Sequence, residues 1–240
     1  MIKVRLCGAA GEVTGSGYLV ETPDAQVLVD FGIFQGGRGS RERSRSLGPV
    51  DPSRLDAVIL SHAHLDHSGR LPLLYASGYE GPLYATHGTL DTTRVLLEDM
   101  AKIEEENIKR ENRKRRRAGE ELLKPVYTVQ DVKAIRSWHE RLHCNRPETV
   151  APGVRVRLFE AGHILGSTSV ELTIEHEGEK RILVFSGDVG PCAAPILRDP
   201  ARPTQGDLVF LESTYGGRER TPQEETVSGF KQLLKEAWDK

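Results

Sequence analysis

The stretch Ser61-His62-Ala63-His64-Leu65-Asp66-His67, placed directly after the apolar run Ala57-Val58-Ile59-Leu60, limits what this chain can become more than any other feature. An apolar run that ends in three imidazoles and a carboxylate describes a buried strand feeding a ligand-dense loop, which is how a rigid scaffold presents a metal site. The bland account is three surface histidines that happen to cluster. Neutral imidazole and carboxylate are the ligands zinc takes, and this spacing holds them on one short loop, so the metal account is preferred.

Strand and helix patterns surround this loop. Residues 2–7 alternate apolar and polar side chains as a half-buried strand does, and residues 8–17 are too rich in glycine for regular structure. Strand-like segments over 18–22 and 27–30 are joined by a Pro23-Asp24 turn. A short helix is expected over 68–76 and a strand over 83–86. A long helix begins near Thr89, with Leu96, Met100 and Ile103 as its core stripe. The stripe stops past Ile108, so the helix projects into solvent until Lys124-Pro125 ends it, and a second helix is expected over 129–140. Strands follow over 154–159, 169–175, 180–185 and 207–211, with a hairpin at 177–179, and a helix over 224–238. Strands in runs with helices outside them imply a layered α/β body.

With 240 residues and a net charge of −2, the chain carries no global field that announces nucleic acid or a membrane. No run approaches membrane-spanning length and no leader segment opens the chain, so a cytoplasmic protein without a membrane partner is expected. Cys7, Cys144 and Cys192 are far apart and odd in number, which argues against a disulfide framework and a thiolate zinc site.

Polar residues stand at the ends of three later strands: His163 in Gly162-His163-Ile164, Asp188 in Ser186-Gly187-Asp188 and Glu212 in Leu211-Glu212-Ser213. A lone histidine after a strand is more often structural, so His163 gains weight only beside the first cluster. His62-x-His64-x-Asp66-His67, with Asp30 upstream and His163 and Asp188 downstream, resembles the metallo-β-lactamase fold. Gly8–Ser16 and Glu212–Gly216 resemble the β-CASP branch of RNA- and DNA-processing nucleases, which includes RNase J and the endonuclease subunit that cleaves messenger-RNA precursors. The histidine string alone also suits lactamases, glyoxalase II and lactonases.

That resemblance implies an α/β fold, an αββα sandwich of two mixed sheets flanked by helices. It implies that His62, His64 and His163 hold one Zn2+, that Asp66 and His67 hold a second, and that Asp188 bridges the two. Asp30 would orient a ligand imidazole through its other nitrogen, and Glu212 would support a histidine near the leaving group. Asp66, Glu212 and Asp30 are thus the catalytic candidates. The implied activity is hydrolysis of RNA phosphodiester bonds by a metal-bound hydroxide, whose parent water has a pKa lowered toward ~7. RNA against DNA, and internal against terminal cleavage, stay open.

The family completes its second zinc site with a histidine beyond the bridging aspartate, whereas the last histidine here is His176. Cys192 lies in a setting, Gly190-Pro191-Cys192, that does not argue for a ligand. Residues 1–212 are accordingly read as the metallo-β-lactamase domain, with its C-terminal part missing, and 213–240 as the start of an incomplete β-CASP insert. A weak second zinc site, and a complementing C-terminal polypeptide or a homodimer, are expected on the same grounds.

The remaining histidines have plainer accounts. His87, without an acidic neighbour, is read as structural or exposed, and His176 as exposed. His139 and His143 have helical i, i+4 spacing but no carboxylate in register, so a solvated face is preferred. In the charge run 109–117, Glu105→Lys109, Glu106→Arg110 and Glu111→Arg115 pair at i, i+4. Arg113, Lys114, Arg116 and Arg117 have no such acidic partners upstream, and suit contact with a phosphate backbone. A small-molecule ester, thioester or lactam hydrolase of the same fold, and an inactive metal- and RNA-binding fragment, stand as alternatives.

Overall fold

Side-chain alternation along the early strands feeds two separate cores, one on each face of a sheet. The computed structural model describes all residues except 38, 136–138, 220 and 240. In it β1 (Lys3–Leu6), β2 (Tyr18–Glu21), β3 (Gln26–Val29), β4 (Ala57–Ile59), β5 (Leu83–Thr86) and β6 (His139–Leu142) lie side by side in chain order. Pairing is antiparallel as far as β3 and parallel from β3 to β6. Leu19, Leu28 and Val58 point to one face, where Leu71, Leu74, Leu90, Leu97 and Val132 of the helices cover them. Val20, Val27, Val29, Ala57 and Ile59 point to the other face and meet the second sheet.

That second sheet has the order β11 (Leu208–Phe210), β10 (Glu179–Phe185), β9 (Thr168–His176), β8 (Val154–Glu160), β7 (Glu148–Ala151), and only β10–β11 is parallel. Val154, Val156, Leu158, Val170, Leu172 and Phe185 fill the space between the sheets. Each such fully buried side chain is worth about 1.5–3 kcal/mol of apolar burial, so the two sheets form a rigid floor under the loops at their ends. The helices are α1 (Ser40–Ser44), α2 (Leu65–Ser68), α3 (Leu71–Ala76), α4 (His87–Ala118), α5 (Val129–Ile135) and α6 (Gln223–Trp238). Residues of α3, α4 and α5 pack on the first sheet. On α6, by contrast, Val227, Phe230, Leu233, Leu234 and Trp238 are all exposed.

Several boundaries differ from the sequence expectations. The expected helix over 68–76 is two short helices, because Arg70 N–H leaves the helical ladder to donate to Phe31 O and Pro72 starts the second. The long helix ends at Gly119, in the left-handed region at φ 69°, and not at Pro125. A glycine there is the usual helix stop. The chain then turns back along the helix, where the Asn112 side chain bonds both Leu123 N (2.8 Å) and Leu123 O (2.9 Å). The buried stripe of α4 runs through Leu90, Thr93, Leu97, Ala101 and Ile108, whereas Ile103 is 54% exposed.

The expected helix over 129–140 stops at Ile135, its residues 136–138 lie outside the described residues, and 139–142 is strand β6. His139 and His143 are therefore no helical pair. His87 does have an acidic neighbour, Asp91, at 3.0 Å one turn along α4. His176 is half-buried rather than exposed, with Nδ1 2.7 Å from Asp24.

Candidate metal centre

Asp30 is the organising group. It follows β3 with φ 57°, a left-handed conformation that aspartate tolerates better than most residues. Its carboxylate is 1% exposed, and it accepts from Ser61 N (2.7 Å), Ser61 Oγ (2.7 Å) and His67 Nδ1 (2.8 Å). Parallel pairing of β3 with β4 brings it there, since Asp30 N–H donates to Ile59 O. Gly32 lets the same backbone pass under the histidine loop, because a Cβ on it would meet Asp66 O at 1.6 Å.

Ser61 fixes the next ring. Its single hydroxyl proton goes to Asp30, so its oxygen accepts from His62 Nδ1 at 3.0 Å. His62 Nε2 is then left as a lone pair, because its Nδ1–H is already committed, whereas His67 faces a carboxylate at each ring nitrogen, Asp30 at Nδ1 and Asp188 at Nε2. His62 Nε2 lies 3.2 Å from His64 Nδ1, which lies 3.1 Å from His163 Nε2. Asp188 Oδ2 stands 3.3 Å from His163 Nε2 and 3.7 Å from His62 Nε2, while its Oδ1 is 3.2 Å from His67 Nε2. One donor atom each from His62, His64, His163 and Asp188 falls within 4.8 Å of all the others.

His163 and Asp188 reach this point on braced loops after β8 and β10. His163 N and Ile164 N donate to Ser167 Oγ (3.0 and 3.2 Å), and Gly166 O accepts from the hydroxyls of Thr86 and Thr89 at the start of α4 (2.6 and 2.7 Å). Beyond Asp188, Val189 N donates to Glu212 Oε1 at 3.1 Å, and Glu212 N donates to Ser186 Oγ at 3.0 Å. Glu212 therefore steadies the aspartate loop.

Electrostatics agree with a cation site. Burial, then the charge on His67, holds His62 well below the usual imidazole pKa. Burial and His163 lower His64, with Asp66 and Asp188 acting against them. For His67 burial opposes the charge, but Asp30 and Asp188 override it and raise its pKa to about 10. Burial likewise opposes the charge of Asp188, yet the hydrogen bond and charge of His67 hold it far below the ordinary carboxylate range. Three imidazole nitrogens and a carboxylate oxygen converging within 4.8 Å of one another are the donor set of a zinc-type ion, so the residues fit such a group.

The structure thus brings together His62, His64, His163 and Asp188, with His67 on the far oxygen of Asp188 and Asp30 behind it. Asp66 is half-buried on the same loop and outside the four-donor cluster. Sequence reading missed Ser61, Thr86, Thr89 and Ser186. Only Ser61 left a signal, as a hydroxyl wedged between an apolar run and the first histidine. Beside His67 and Asp188 opens a cavity of about 280 Å3, walled by Gly11, Val13, Tyr18 and Thr214.

Comparison with known proteins adds the relatives. The family model described as "Metallo-beta-lactamase superfamily" matches residues 10–217. Ribonuclease TTHA0252 of Thermus thermophilus is 38% identical over 95% of this chain and 47% of its own length. Transcription termination factor FttA of Thermococcus kodakarensis is 33% identical over 92% of this chain and 34% of its own. The chain thus spans about half the length of the first relative and a third of the second. Among solved structures, the metallo-beta-lactamase fold protein YhfI of Bacillus subtilis is similar at a TM-score of 0.45 and 20% identity, over 77% of this chain and 61% of that one.

Proposed function

Since the chain belongs to the metallo-beta-lactamase superfamily, we propose that its four-donor cluster holds zinc and that the site hydrolyses RNA phosphodiester bonds, as part of the β-CASP branch. One observation carries the reading: His62, His64, His163 and Asp188 offer ligand atoms within 4.8 Å of one another, in a chain 38% identical to a protein named a ribonuclease. When bound, zinc supplies a Lewis acid for a phosphoryl oxygen and a water acidic enough to ionise near neutral pH. His62, His64 and His163 would hold that ion together with Asp188, and His67 and Asp66 would be the residues for a second one. Asp30 keeps the His67 ring in its tautomer, and Glu212 keeps Asp188 in place.

RNA is the substrate that best explains the remote charge. Arg110 and Arg115 reach Glu106 (3.8 Å) and Glu120 (2.7 Å), whereas Arg113, Lys114, Arg116 and Arg117 stand exposed. Like charges three and four residues apart on a helix repel by roughly 0.2–0.5 kcal/mol per pair, and an anionic backbone relieves that repulsion. At 1.5 Å per residue these cations lie about 40 Å from the start of α4, which itself holds the His163 loop. An extended polyanion is long enough to span the two.

Residues 213–240 are proposed to open an inserted domain. A complementing polypeptide would cover the exposed apolar residues of α6. No helix among the described residues is long and apolar enough to cross a membrane. The test is zinc content per chain together with cleavage of a labelled RNA by this polypeptide, with and without a C-terminal complement. Purified, undegraded protein that takes up no zinc removes the reading.

A further inference from the structure

Arg70 is the largest fully buried side chain among the described residues, 2% exposed, and four backbone carbonyls take up its guanidinium. Nε donates to Gly32 O (2.6 Å), Nη1 to Ser46 O (3.2 Å), and Nη2 to Cys7 O (3.3 Å) and Gly15 O (3.5 Å). These carbonyls belong to three different loops. A buried cation satisfied only by carbonyls is costly and is kept where a planar, many-donor fork has to tie several segments at once.

The aromatic contacts give the tie a direction. The Arg70 guanidinium carbon lies 3.9 Å from the Phe31 ring centre and 4.8 Å from that of Phe34, and Arg43 lies over Phe34 at 3.7 Å. Arg43 in turn grips both carboxylate oxygens of Glu12. Glu12 and Gly11 wall the cavity beside His67 and Asp188. At the other end Phe31 N–H donates to His67 O at 2.7 Å. Gly15 is required by the same column: its φ is +83°, and a Cβ would strike the Phe34 ring at 2.3 Å.

We propose that Arg70 is a positioning residue, the centre of a column Glu12–Arg43–Phe34–Arg70–Phe31 that fixes the glycine-rich wall of the substrate mouth against the metal-ligand loop. The substrate part of this inference rests on the RNA reading above; the positioning part does not. Ser16 N–H donates to Asp66 O at 2.8 Å and Gly32 N–H to Ser16 O at 2.8 Å, so the wall and the ligand loop share a hydrogen-bond path that Arg70 closes. Cation–aromatic contacts desolvated in this way add to the carbonyl bonds. The column therefore sets where a bound nucleotide meets the ligands, while the ligands themselves are held by Asp30 and Ser61.

The experiment uses the full chain carrying Arg70→Lys, with Phe34→Leu as a second variant should the first fail to fold. Backbone amide exchange is followed by mass spectrometry, beside zinc content and RNA cleavage kinetics. Expected are exchange at least tenfold faster over residues 8–17, unchanged exchange over β8 and β9, and unchanged zinc per chain. With RNA, KM should rise at least fivefold with kcat within twofold. Faster exchange spread evenly over loops and sheets, or none over 8–17, overturns the proposal, as does a fall in kcat at constant KM. Failure of the unsubstituted chain to cut RNA counts against the ribonuclease reading alone, because the exchange pattern still decides the positioning role.

Discussion

At the sheet ends, His62, His67 and Asp30 are buried against one another and against Asp188, and the Nδ1 of each ring has its own partner, Ser61 for His62 and Asp30 for His67. At the far end of α4, Arg113, Lys114, Arg116 and Arg117 stand in solvent on two successive helical turns. Both regions concentrate charge, but by opposite means. Burial turns His62 and His64 into neutral, directed donors that suit a metal. Exposure leaves the three arginines and the lysine interchangeable, which suits a backbone of repeating phosphates and not a particular atom. Chemistry in this molecule therefore depends on angstrom-scale fixation, and binding on net charge.

The sharpest way to break that contrast is His64→Ala. Cleavage of RNA should fall by more than the roughly 10–100-fold that loss of an outer partner costs, while RNA retained on a filter at low salt stays the same. If binding falls in step with cleavage, the two regions are not independent. Asp30→Asn should follow, with zinc affinity reduced about 10–100-fold in a chelator competition, because Asn cannot serve Ser61 and His67 together as an acceptor. Replacing Arg113, Lys114, Arg116 and Arg117 by glutamine should leave zinc content alone. It should also flatten the log–log salt dependence of RNA binding by up to about 2.8, at ~0.7 per contact on a single strand.

The smallest effect is expected from pH, and it concerns the metal-free chain. His67 has its pKa raised to about 10, so the stability it contributes is complete below about 6.5 and is lost as pH climbs through 10. His62 and His64 are shifted the other way, so their contribution is present above about 6.5 and is lost as pH falls through their lowered values. Melting temperature in chelator should therefore peak near pH 6.5. A steady rise from pH 7 to 10 would contradict the raised His67.

Much of this was legible in the sequence where the signal is local. Two-residue alternation exposed the strands around 18–29 and 154–185, and a dense run of donors at a strand end exposed His62, His64 and His67. His163 and Asp188 could be read because each ends its own apolar strand. Tertiary effects hid the rest. The strand at 139–142 pairs in parallel with β5, whose residues lie far away in sequence, and that pairing overrides the helical pattern of the preceding segment. Gly119 stopped α4 before Pro125 could. Nothing in the sequence marks Arg70, which Phe31, Phe34 and four carbonyls enclose only in the folded chain. A residue that works by joining distant loops leaves no periodic trace.

The central claim is that three imidazoles and Asp188 make one metal centre. Titrating zinc into the stripped chain against a competing chelator, with X-ray absorption on the loaded sample, tests it most directly. One tightly held ion per chain, with nitrogen and oxygen neighbours at about 2.0–2.2 Å and no such ion in His64→Ala, is the expected result. No tight uptake, or equal uptake by the His64→Ala chain, would contradict it.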